Sequence, residues 1–181
     1  MLAFVFGGCR SGKSGFAEQL LQGYAGSCEL GYVATMWPAG DDAKARIERH
    51  RMLRADKGFT SYERYFDVGG LELPANSAVM LECLSTLVAN EMFQPGGAGG
   101  DTFKVTLDGI RRLASRTTHL IVVSSNLTSD GVCYDASTQE YQRTLAALMG
   151  EITALSDTVI EMVCGIPIHL KGAAACRSSV A

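Results

Sequence analysis

No stretch of this 181-residue chain approaches the ~20 consecutive apolar residues that a membrane-spanning helix needs. Charge of one sign is also scarce. Sixteen Lys and Arg against 19 Asp and Glu leave a net charge of −3, so composition makes no case for nucleic acid or an anionic membrane as partner. The cysteines, at positions 9, 28, 83, 133, 164 and 176, form no C-x-x-C pair and none has zinc spacing to a histidine. No internal repeat occurs, nor any Asn-Lys-x-Asp motif of the kind that reads guanine. Residues 1–6 are too short for a signal peptide, and Cys9 must stay reduced for its loop to work, so a cytoplasmic location is expected. Cys83 and Cys164 end apolar runs and read as small hydrophobes. What remains, 47% hydrophobic and 19% charged residues, is ordinary for one globular domain with a real core.

Against these absences one motif stands out. Gly7-Gly8-Cys9-Arg10-Ser11-Gly12-Lys13-Ser14 follows the apolar run Leu2-Ala3-Phe4-Val5-Phe6. It has the form G-x-x-x-x-G-K-S, a phosphate-binding P-loop. Glycines let the backbone wrap a polyphosphate, Lys13 can reach its β- and γ-phosphates, and Ser14 can ligate Mg²⁺. A helical pattern follows, with Phe16, Ala17, Leu20 and Leu21 at 3/4 spacing.

The rest alternates. Strands are expected at 2–6, 30–35, 78–81, 120–123 and 158–163, and helices at 12–23, 42–56, 84–93, 102–116 and 137–156. The aromatic but polar stretch 59–66 reads as an edge strand or a loop. Pro95 to Gly100 reads as a mobile surface loop. Ile166-Pro167-Ile168-His169-Leu170 pairs with the preceding strand as a terminal hairpin. The pattern predicts a mostly parallel α/β sheet flanked by helices, with the domain spanning 1–171 and a frayed tail at 172–181. In such sheets ligands bind at the carboxyl ends of the strands. Attention therefore falls on the P-loop, on Thr35 onward, on Glu82 and on Ser124 to Asp130.

Glu82 ends the apolar run Ala78-Val79-Met80-Leu81. A P-loop enzyme needs an acid there for Mg²⁺ or its water shell, although a carboxylate merely capping the next helix fits the pattern too. The second constellation is Arg46, His50 and Arg54, spaced i, i+4, i+8 on a helix that opens at Asp41-Asp42. Two guanidinium groups suit phosphate and oppose protonation of the imidazole between them. His50 could then attack an α-phosphate and carry a nucleotidyl group. The plain alternative is a solvated charged helix. His119 and His169 read as structural. Trp37 and Tyr32 could stack on a base or belong to the core.

Taken together these segments resemble the bifunctional adenosylcobinamide kinase / adenosylcobinamide-phosphate guanylyltransferases of cobalamin biosynthesis. The likeness runs from Phe4 to Lys171. It rests on G-G-x-R-S-G-K-S at 7–14, Tyr32-Val33-Ala34-Thr35, the R-I-x-x-H-x-x-x-R pattern from Arg46 to Arg54, Leu81-Glu82 with the Asn90 helix, and Val163-Cys164-Gly165-Ile166-Pro167. The resemblance implies a RecA-like fold, ATP or GTP with Mg²⁺, a corrinoid substrate, and a homo-oligomer, with a trimer as the candidate state. It makes His50 the guanylyl acceptor, with Lys13 and Glu82 as the other catalytic groups and Ser14 and Glu82 on the metal. The nucleotide set then comprises residues 7–14, Thr35, Arg46, Arg54, Glu63 and Glu82.

Three positions depart from the family pattern. Where it often has N-E-V-G, this chain has Asn126-Leu127-Thr128-Ser129, which leaves Asp130 or Asp135 to take over any role of the missing carboxylate. Glu82 replaces the common Asp, and Phe59 replaces a Trp. Two rivals stay open: a simple P-loop small-molecule kinase in which His50 is a bystander, and a non-catalytic nucleotide-dependent switch.

Overall fold

A computed structural model describes residues 1–38, 40–52, 57–127, 132 and 134–172, without the side chains of residues 42–44, 46, 50 and 51. Its strands are β1 (Leu2–Gly7), β2 (Glu29–Ala34), β3 (Thr60–Glu63), β4 (Ser77–Glu82), β5 (His119–Ser125), β6 (Thr158–Val163) and β7 (Ile166–Lys171). Its α-helices are α1 (Lys13–Ala25), α2 (Gly40–Met52), α3 (Leu84–Phe93), α4 (Thr102–Arg116) and α5 (Ala136–Leu155). The strands form one seven-stranded sheet in the order β3-β2-β4-β5-β1-β6-β7. All neighbours are parallel except the terminal hairpin β6–β7. This is the expected mostly parallel α/β domain.

Strand alternation divides the apolar residues between two cores. Phe4, Val79, Leu81, Leu120, Val122 and Val159 pack with Leu87 of α3, Ile110 and Leu113 of α4 and Leu148 of α5. Ala3, Val5, Met80, Ile121, Val123 and Ile160 pack against Ala17, Leu20 and Leu21 of α1. Burial on both faces explains why the central strands read as unbroken apolar runs. The polar stretch at 59–66 resolves into β3, an edge strand paired only with β2.

The Pro/Gly cluster is more tightly built than a mobile loop. Gly97 N–H donates to Gln94 O, and Ala98 N–H to a carboxylate oxygen of Glu91, both at 3.0 Å. The chain then enters a single 3-10 turn, Gly99–Asp101. Cys164 also departs from expectation. It lies exposed in the β6–β7 turn with φ of 50°, so it is no core hydrophobe. Residues 173–181, where a frayed tail was expected, lie outside the described residues.

Candidate nucleotide and substrate site

The P-loop joins β1 to α1 at the carboxyl edge of the sheet. Its glycines are dictated by space and by backbone angle. A Cβ on Gly7 would lie 2.5 Å from the carbonyl oxygen of Met162. Gly12 has φ of 87° and precedes α1 with no side-chain cap, so the first N–H groups of that helix are left for a ligand. Ser11 O accepts from Gly165 N–H at 3.1 Å, so the β6–β7 turn braces the loop from behind. Lys13 Nζ donates to Gly8 O at 3.0 Å, folded back over the loop.

Beside it lies a cavity of about 780 Å³, within the range of small-molecule sites. Cys9, Arg10, Lys13 and Ser14 form one wall. The strand ends supply Tyr32 and Ala34 from β2, Ser61 and Glu63 from β3, Glu82 from β4 and Ser125 from β5. Cys83, Ser85 and Thr86 add the start of α3, and Ile47 and Arg49 add α2.

Ser14 Oγ donates to Glu82 Oε1, across the cavity edge from P-loop to β4. The Tyr32 hydroxyl donates to Glu82 Oε2 at 2.9 Å. Glu82 is therefore engaged by two hydroxyls and does not cap α3, whose N-cap residue is Cys83. Serine and carboxylate oxygens are hard donors suited to Mg²⁺. Among the described residues no group of three or more His, Cys, Asp or Glu could hold a metal.

Thr35 is fully buried. Its hydroxyl accepts from Cys83 N–H at 2.8 Å and donates to Cys83 O at 3.0 Å, which locks the end of β2 to the end of β4. Asn90 Nδ2 donates to Thr35 O at 2.7 Å and to Tyr65 O at 3.2 Å. Thr35 thus shapes the cavity from beneath without being one of its lining residues. Behind the α3 start, Tyr141 of α5 donates to Ser85 O at 2.9 Å. Burial, with a smaller contribution from Cys83, pushes the Tyr141 hydroxyl up to about 12.

The backbones of Arg46 and His50 lie in α2, with His50 three residues beyond Ile47. The side chains of Arg46 and His50, and all of Arg54, lie outside the described residues. Arg49, which the i, i+4, i+8 pattern passes over, lines the cavity. Leu127 lines it too, where a family carboxylate was missed. Asp135 is taken up elsewhere: its side chain caps α5, accepting from Ser137 and Thr138. Those bonds, led by the Ser137 hydroxyl, hold its carboxyl well below the usual range. Asp130 lies outside the described residues. Trp37 packs against Tyr65 and Phe66 with ring centroids 5.2 and 5.4 Å apart. His119 stacks on Tyr24 at the amino end of β5, and burial, aided by the N-terminal ammonium, lowers its pKa. His169 is exposed on β7. Neither histidine lines the cavity.

Fold and site together define a P-loop nucleotide-binding α/β protein. Residues 3–170 match the family described as cobinamide kinase / cobinamide phosphate guanyltransferase, and the chain belongs to that family. It is an enzyme family, and its name carries two activities. The chain is 28% identical to the bifunctional adenosylcobalamin biosynthesis protein CobU of Escherichia coli K12, over 94% of this chain and all of that protein. It is 27% identical to the Salmonella typhimurium LT2 protein of the same name, again over 94% of this chain and all of the relative. Among solved structures it is similar to the flagellar accessory protein FlaH of Methanocaldococcus jannaschii, with a TM-score of 0.48, 12% identity, and 94% and 78% of the two chains covered. The ATPase domain of G40P also has a TM-score of 0.48, with 8% identity and 88% and 68% covered. Among the described residues no helix is long and apolar enough to cross a membrane.

Proposed function

We propose that this chain carries out both reactions in its family's name: it phosphorylates adenosylcobinamide with a nucleoside triphosphate, then converts the phosphate to adenosylcobinamide-GDP with GTP. The observation that carries the reading is the meeting of Ser14 and Glu82 beside Lys13, in a cavity also lined by Ile47 and Arg49 of α2, the helix whose sequence carries His50. In the first reaction the hydroxyl oxygen of the aminopropanol arm bonds to the γ-phosphorus as the β–γ bridging bond breaks; the nucleoside diphosphate leaves and the hydroxyl proton passes to water. Lys13 and the P-loop N–H groups stabilise the charge on the transferred group. Ser14 and Glu82 would hold Mg²⁺, which when bound neutralises phosphate charge.

In the second reaction an imidazole nitrogen of His50 bonds to the α-phosphorus of GTP and pyrophosphate leaves. A phosphate oxygen of the substrate then displaces the imidazole and takes the GMP group. Neutral imidazole suits both steps, since it attacks and later departs. Arg49 stands on the same helix at the cavity wall, where a fork-shaped donor fits phosphate. Glu63, Arg46 and Arg54 complete the proposed nucleotide set. Leu127 supports a second reading, a kinase without nucleotidyl transfer, because an apolar side chain stands where the family often has a carboxylate. The proposal extends to a cytoplasmic homo-oligomer. It is supported by the exposed apolar side chains Ile166, Ile168 and Leu170 on the edge strand β7, and sedimentation would test for a trimer.

Incubation with GTP labelled in the α-phosphate and Mg²⁺ tests the reading. Acid-labile, base-stable label on the protein is expected. Its absence, with phosphorylation of adenosylcobinamide intact, leaves the kinase-only reading.

A further inference from the structure

The Glu82 carboxylate is held from two sides, by Ser14 on Oε1 and by Tyr32 on Oε2. The register explains how Tyr32 comes to be there. Ala34 is the cross-strand partner of Glu82, and Tyr32 is the partner of Met80. Residues two apart share a face, so Tyr32 and Glu82 project from the same side of the sheet, the side on which α1 carries Ser14. Tyr32 is 3% exposed, and its ring meets Phe59 edge-on at 6.5 Å. Packing therefore fixes the ring, and the ring delivers its hydroxyl to one carboxylate oxygen.

We propose that Tyr32 is a positioning residue. It fixes Glu82 so that the carboxylate orients the Ser14 hydroxyl toward the Mg²⁺ of a bound nucleoside triphosphate. This rests on the reading of Ser14 and Glu82 as the metal-side pair. A serine hydroxyl has one proton and two lone pairs. With the proton committed to Glu82, the lone pairs are what Ser14 offers a cation. The terminal torsion of a glutamate is broad, so an untethered carboxylate turns and carries the Ser14 proton with it. A charge-assisted bond from a buried tyrosine removes that freedom. The same geometry gives a reason for Glu at this position. An aspartate would be one methylene short of the Tyr32 hydroxyl.

The test is a double-mutant cycle read by binding. A fluorescent, non-hydrolysable GTP analogue is titrated with Mg²⁺ on wild type, Tyr32→Phe, Glu82→Asp, the double variant and Glu82→Gln. Tyr32→Phe should raise the Mg²⁺ midpoint three- to tenfold, while metal-free affinity for the analogue stays within twofold. Glu82→Asp should raise the midpoint as well, and Tyr32→Phe should add nothing in that background. Thermal melts confirm that Tyr32→Phe, which keeps the packed ring, is folded. An unchanged midpoint in Tyr32→Phe beside a shifted one in Glu82→Gln overturns the role of Tyr32 alone. An equal effect of Tyr32→Phe with Asp at 82 also overturns it. A midpoint untouched by Glu82→Gln overturns the metal-side reading and the Tyr32 role with it.

Discussion

The two walls of the cavity are built differently. On one side the P-loop, Glu82 and Ser125 sit on the ends of β1, β4 and β5, strands buried on both faces and hydrogen-bonded to neighbours on both edges. On the other side α2 is strongly charged. Of its described side chains, Asp41, Ala45, Glu48, Arg49 and Met52 are exposed and Ile47 is partly buried. Two glycines with φ of 77° and 75°, Gly40 and Gly58, bracket it. A tie between α1 and the chain just past α2 joins the two regions. Lys57 pairs with the buried Glu18 of α1, and Gln22 Nε2 donates to Lys57 O at 3.2 Å. The contrast matches what the two proposed reactions need. Transfer of a γ-phosphoryl group depends on charge stabilisation fixed in advance, which a sheet edge supplies. Transfer through a histidine needs one group that attacks and leaves, and a single helix can present it.

Substitutions can break that contrast one wall at a time. The largest effect is expected from Lys13→Ala on the sheet-end wall. Triphosphate turnover should fall by at least about 10²-fold, in line with losing a preorganised charge-stabilising donor, while the melting curve stays cooperative. Activity within about tenfold of wild type, a ~1.4 kcal/mol effect, would remove the P-loop from the chemistry. His50→Ala strikes the helix wall. Intact mass after GTP treatment should show no GMP adduct, while phosphorylation of adenosylcobinamide survives within about tenfold. A persisting adduct would move the nucleophile to His119 or His169, the remaining histidines. Equal loss of both activities would mean that the walls do not divide the work. Cutting the tie with Lys57→Ala should cost about 1 kcal/mol in urea unfolding. This is the low end for orphaning a buried carboxylate, because Lys57 is 41% exposed and water takes its place.

The smallest effect serves as the control, because it touches neither wall. Asp135→Ala should lower the melting temperature slightly at neutral pH by removing the α5 cap. The carboxyl is held below its usual range in the folded state. Its contribution is therefore present above the unfolded value and lost as pH falls toward the folded one. The difference between the proteins should shrink in acid. A gap that is constant from pH 7 to pH 3 would assign it to something other than the carboxylate.

Where a segment's own period settled its structure, the sequence was legible. The helices 84–93 and 102–116 and the strand 158–163 fall where the pattern put them. The P-loop follows from local spacing alone. What escaped depends on contacts between distant segments. The hydroxyl of Thr35, which was expected on the nucleotide, bonds the Cys83 backbone, a partner 48 residues away that local spacing does not reveal. Tyr32 was weighed as a stacking or core residue, and its bond to Glu82 crosses from β2 to β4. Arg49 was passed over because helical spacing groups residues by face but does not say which face meets the cavity. The polar stretch at 59–66 was ambiguous because an edge strand lacks the second buried face that makes the central runs plain.

The bond between Ser11 O and Gly165 N–H also bears on how the protein is made. The phosphate loop is synthesised well before its brace, because Gly165 lies far beyond Ser11 in the chain. The strands on either side of it, β5 and β6, emerge more than a hundred residues after it. The loop therefore has its sequence early and its shape late. A nascent chain stopped before the terminal hairpin carries the whole motif and lacks the surroundings that make it a phosphate cradle. The shape of the loop therefore depends on segments far from it in sequence: β5 and β6 on either side and the β6–β7 turn behind it.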